Sequence, residues 1–70
     1  MKYVGRYDNG SGYMEWAGRP VDSIDAAKKQ VADCMAMGVD VVEVPNGVNN
    51  EGAVVADGLL GKGWQDVNNV

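Results

Sequence analysis

The chain contains no histidine, no phenylalanine and a single cysteine, Cys34. Without histidine, acid–base chemistry at neutral pH would fall to a carboxylate, lysine, cysteine or tyrosine with a shifted pKa. One cysteine excludes an intrachain disulfide, and one cysteine with scattered carboxylates is not a zinc set. No apolar run approaches the length of a membrane span. The opening residues, MKYVGRYDNG, offer no apolar stretch of the kind a secretory signal needs, so a cytoplasmic location is expected. Basic residues are also few: six against ten acidic ones, for a formal net charge of −4. The six cations, Lys2, Arg6, Arg19, Lys28, Lys29 and Lys62, are scattered apart from the Lys28–Lys29 pair. Phosphate backbones demand Lys and Arg on one surface, so direct binding of nucleic acid is not expected.

What is present is enough for one domain over residues 1–70. A chain this short buries only roughly 60–65% of the surface that its unfolded form exposes, so its margin of stability is thin. With disulfide and metal set aside, support must come from packing, or from association with a target or with itself as a homodimer. The 46% hydrophobic and 23% charged fractions are those of a folded domain and not of a disordered tail.

Lys2–Tyr7 and Tyr13–Ala17 are rich in β-forming residues, and Asp8-Asn9-Gly10-Ser11-Gly12 between them is a cluster of turn formers, which predicts a β-hairpin. With Tyr7 opposite Tyr13, Arg6 faces Met14, Gly5 faces Glu15 and Val4 faces Trp16. One face then carries Val4, Met14 and Trp16; the other carries Tyr3, Tyr7, Tyr13 and Glu15. A helix over residues 24–37 follows. Ser23 is its N-cap, Asp25 complements its dipole, and Ile24, Ala27, Val31, Cys34 and Met35 form one apolar stripe. Gly38 is expected to end it in the left-handed region. Val39–Val44 is a β-branched run stopped by Pro45 and reads as a strand. Residues 46–52 read as a loop. Residues 53–60 admit a short strand or a helix capped by Asn50, and the piece from Trp64 to Val67 is extended. The order is β-β-α-β-β, with that last piece a candidate fifth strand. A single amphipathic helix needs one apolar surface to cover, and an antiparallel sheet supplies it. The expected fold is a two-layer α+β domain.

Motifs with chemistry are sparse. Cys34 on the apolar stripe is expected to be buried and inert. Cys34-Met35-Ala36-Met37 resembles a soft-metal set only superficially, since Met at helical spacing is usually core. Gly58-Leu59-Leu60-Gly61-Lys62-Gly63 lacks the spacing and the hydroxyl of a phosphate loop. Residues 8–12 have too few oxygen ligands for calcium. Asp40 and Glu43, three apart on a strand, point to opposite faces and are expected to be solvated. No catalytic residue, cofactor or metal ligand is assigned. The tyrosine face has two readings. It is either the core, or an exposed aromatic patch edged by charge, of the kind that anchors protein interfaces. On the second reading the candidate protein-binding residues are Tyr3, Tyr7, Tyr13 and Glu15, with Asp8, Asp40 and Glu43 steering approach to a basic partner.

The size, acidity and β-β-α-β-β order resemble those of small phage-encoded inhibitors, including some anti-CRISPR proteins. The resemblance rests on Ser23 opening an Ala- and Lys-bearing helix, on Val39–Val44 as a strand, and on Gly61-Lys62-Gly63-Trp64 near the end. It is one of layout and carries no functional residue across. It implies a non-enzymatic protein that binds and blocks a host protein or nucleoprotein complex with a basic surface. The alternative is a structural or accessory module, a homo-oligomer or a subunit that completes a partner's sheet.

Overall fold

A computed structural model describes residues 1–34, 38–45, 51–59 and 63–67. Five strands and one helix follow in the order β1 (Lys2–Asp8), β2 (Met14–Trp16), α1 (Ile24–Gln30), β3 (Gly38–Val44), β4 (Val54–Leu59) and β5 (Gly63–Asp66). The class is α+β as expected, but the order is β-β-α-β-β-β: the piece around Trp64 is a full member of the sheet. All neighbours are antiparallel, in the spatial order β2-β1-β3-β4-β5. Where a strand or a helix was open, Val54–Leu59 is strand and pairs with both β3 and β5; residue 60 lies outside the described residues.

The hairpin forms two residues out of the expected register. Tyr7 pairs with Glu15, Arg6 with Trp16 and Asp8 with Met14, leaving Tyr13 outside the strand. Local turn chemistry sets this. Asp8 Oδ1 accepts the Gly10 N–H at 2.8 Å, Asn9 Oδ1 accepts the Ser11 N–H at 2.9 Å, and Gly10 and Gly12 take φ of 91° and 89°. A slip by an even number of residues keeps every paired side chain on its face, so the expected sorting survives for the strand residues, while Tyr13 falls outside it.

The helix begins where the sequence places it, with the Ser23 hydroxyl accepting the Ala26 N–H at 3.0 Å. It ends earlier than expected. Val31 is the C-cap, and the chain then tightens: Val31 N–H bonds Lys28 O, Ala32 N–H bonds Lys29 O and Cys34 N–H bonds Val31 O. These are three-residue spacings, the tighter winding common at helix ends. Cys34 therefore leaves the stripe and is half-buried, not core. Gly38 opens β3 without a positive φ, so it is not the left-handed cap. Met35 lies outside the described residues.

The helix packs on the face bearing Tyr3, Gly5, Val41 and Ala56. Ala27, Val41 and Ala56 are fully buried there, with Tyr3, Val21, Ile24, Val55 and Trp64 packed around them. Lys28 lies over the Trp64 ring, 5.6 Å from its centroid, and so ties the helix to the far strand. Gly5 lets the helix backbone approach, while Val31 at 2% exposure closes over it. The opposite face has its own buried cluster, Val4, Val42 and Val44, against which Trp16 and Val54 pack. Both faces of the sheet are thus apolar at the centre, where a single covered face was expected.

Candidate protein-interaction surface

Four of the seven residues singled out from sequence come together at the distal end of the β1–β2 hairpin. Tyr7 and Glu15 are cross-strand partners, and the Tyr7 hydroxyl donates to Glu15 Oε2 at 3.1 Å. That hydrogen bond, reinforced by the carboxylate's charge, holds the phenol above its ordinary pKa. Asp8 ends β1 and is engaged in the turn through its Oδ1. Tyr13 enters β2 with 76% of its surface exposed, the most of any large hydrophobic residue described. The turn presents these groups on a backbone fixed by its own hydrogen bonds, so little further order is lost on contact.

The other three lie elsewhere. Tyr3 sits at the opposite end of β1, half-buried against the helix-side core, with its backbone paired to Val21. Glu43 stands opposite Tyr3 and is half-buried. Its backbone bonds Ala53 O at 3.0 Å and accepts the Gly52 N–H at 2.7 Å. Asp40 is the clearest correction: it is 8% exposed, not solvated, and accepts both arms of the Arg6 guanidinium. It cannot steer a partner, because its charge is spent internally.

That ion pair belongs to a network the sequence did not announce. Arg6 Nε donates to Asp40 Oδ1 at 2.8 Å and Nη1 to Glu51 Oε2 at 2.9 Å, while the Trp16 indole N–H donates to Glu51 Oε1 at 2.7 Å. Hydrogen bonding to Asp40, ahead of the charges of Asp40 and Glu51, holds the guanidinium pKa above its usual value. Arg6 is thereby removed from the list of cations able to meet an outside anion. The two carboxylates that converge do so on a guanidinium, and among the described residues no group of three or more Cys, Asp or Glu is placed to hold a metal ion. The one signal in the sequence was strand parity, which puts Arg6 and Trp16 on one face; the forty-five-residue reach to Glu51 carries no periodic trace.

At the start of β1, Lys2 pairs with Asp22, whose carboxyl is held below its ordinary pKa by that bond. No described helix is long and apolar enough to cross a membrane. Set against known proteins, the chain matches no family model, no curated protein and no solved structure.

Proposed function

We propose that this chain is a binding protein that works by occupying the surface of a larger partner, in the manner of a small phage or mobile-element inhibitor of a host protein complex. The observation that carries the reading is the hairpin end, where a tyrosine with 76% of its surface exposed stands beside a Tyr7–Glu15 pair on a backbone braced by two side-chain turns. Tyrosine gives large contact area at low entropy cost, and small binders draw most of their affinity from a few such anchors. The acidic groups at this end, Asp8 and Glu15, match a basic partner, and the net charge of −4 favours its approach. A host complex that handles nucleic acid presents such a surface. No reaction is assigned to the chain.

The test is expression of the chain in bacteria carrying an active anti-phage defence, followed by plating of a phage that the defence restricts. Restored plaques with the native chain, and none with Tyr13→Ala or Glu15→Lys at equal folded abundance, support the proposal. Unchanged restriction across CRISPR and other defence systems overturns the inhibitory role.

A further inference from the structure

The two edges of the sheet are finished differently. At the β2 end, β2 is three residues long, and the rest of the β1 edge is sealed by other groups. Tyr3 exchanges both backbone bonds with Val21, Gly5 O accepts the Ala17 N–H, and Gly5 N–H donates to Gln30 Oε1 at 2.8 Å. Gln30 is held in turn by its Nε2 on Arg19 O. At the β5 end, no described strand lies beyond Gly63–Asp66. Gly63-Trp64-Gln65-Asp66 contains no lysine, proline or bulge; the edge is four residues long and its one charged position is Asp66.

The hydrogen-bond phase of that edge can be read from its inner side. Val67 N–H donates to Val55 O at 3.1 Å, and the register runs through Asp66↔Ala56, Gln65↔Asp57 and Trp64↔Gly58. Antiparallel pairs alternate, so Gln65 and Val67 turn their backbone groups inward to β4, while Trp64 and Asp66 turn theirs outward. We infer that β5 is a homodimer edge: it pairs with β5 of a second copy about a two-fold axis at Gln65, so that Trp64 lies opposite Asp66 of the partner copy.

This register is self-complementary. Each Trp64 and the facing Asp66 exchange both backbone bonds, giving four across the interface, and the two-fold closes the assembly instead of propagating it. It also keeps like charges apart, since Gln65 meets Gln65 and each acidic position meets an aromatic one. With the axis perpendicular to the sheet, both helices lie on the same side, and the two Trp64 rings become diagonal neighbours. The hairpin ends then point away from each other at the two extremes of one continuous sheet. The inference does not rest on the inhibitory role.

The experiment is sedimentation equilibrium of the full chain from about 10 μM to about 1 mM, a range that spans the affinity of a small interface. The expected result is an apparent mass that doubles with concentration, and more readily at high salt, because two copies of charge −4 repel. Asp66→Pro removes an outward N–H and none of the bonds to β4, and Gln65→Lys places two cations opposite each other at the axis. Each is expected to hold the chain at monomer mass, with circular dichroism unchanged. A wild-type chain that stays monomeric throughout overturns the inference. So does a dimer that survives Gln65→Lys, which decides the matter if Asp66→Pro fails to fold.

Discussion

Gly5 of β1 and Ala27 of α1 meet without a side chain between them: a Cβ built on Gly5 would lie 2.5 Å from the Ala27 carbonyl oxygen and 3.0 Å from Val31 Cγ1. The carbonyl is backbone and cannot swing aside, so a methyl group here must lift the helix from the sheet. Gly5→Ala is expected to cost about 2–3 kcal/mol, the upper range for overpacking, although alanine has the better strand propensity. Thermal or urea denaturation measures it. An unchanged midpoint would show that the helix does not sit on Gly5.

That glycine also shows why the side of the sheet taken by the helix was hard to read from sequence. Alternation sorted the hairpin faces correctly, because parity survives a two-residue slip. It does not say which face the helix takes. The bulky Met14 and Trp16 lie on the other face, yet the deciding feature is an isolated glycine in a strand, which marks close backbone approach. Ser23 was legible as a cap because its chemistry is local. The helix end was not, because Cys34 continues the apolar spacing while the backbone has already tightened at Val31. Asp40 looked like a surface charge since its partner, Arg6, lies on another strand.

The Arg6 network makes an ordered pair of predictions. The side chains of Arg6 and Asp40 are 13% and 11% exposed, whereas Glu51 is 38% exposed. Removing the enclosed partner leaves a mostly buried cation with the more exposed Glu51 as its remaining carboxylate, and Asp40→Asn is expected to cost about 3 kcal/mol. Glu51→Gln keeps the shape and loses a half-screened charge, so about 1 kcal/mol or less is expected. Denaturant titration of both variants checks the order. Equal costs would mean that Arg6 draws on the two carboxylates alike.

The Tyr7–Glu15 bond predicts a titration. Because Glu15 favours the neutral phenol, the folded pKa of Tyr7 lies above that of the unfolded chain, near 10. The resulting stabilisation is present below the unfolded value and is lost as pH rises through the folded one. Ring resonances of Tyr7 followed by NMR in alkaline solution should titrate late, and Glu15→Ala should bring the midpoint down. A Tyr7 midpoint indifferent to residue 15 would mean that the hydroxyl does not bond Glu15 in solution.

Tyr3 and Tyr13 are the comparison that separates folding from recognition. Tyr3 packs on the Ala27–Val41–Ala56 cluster, so Tyr3→Ala removes part of a core and is expected to cost about 2–3 kcal/mol, short of a fully buried aromatic. Against a total stability on the order of 5 kcal/mol for a chain of this size, that is a visible loss in any melt. Tyr13 is 76% exposed and lies outside the paired strand, so Tyr13→Ala should change stability by no more than about 0.5 kcal/mol. The two variants carry the same change of side chain, and circular dichroism melts compare them directly. If Tyr13→Ala destabilises as much as Tyr3→Ala, the hairpin end is held by packing, and Tyr13 is not free to anchor a partner. If Tyr13→Ala melts like the native chain, any binding it loses belongs to contact at the hairpin end.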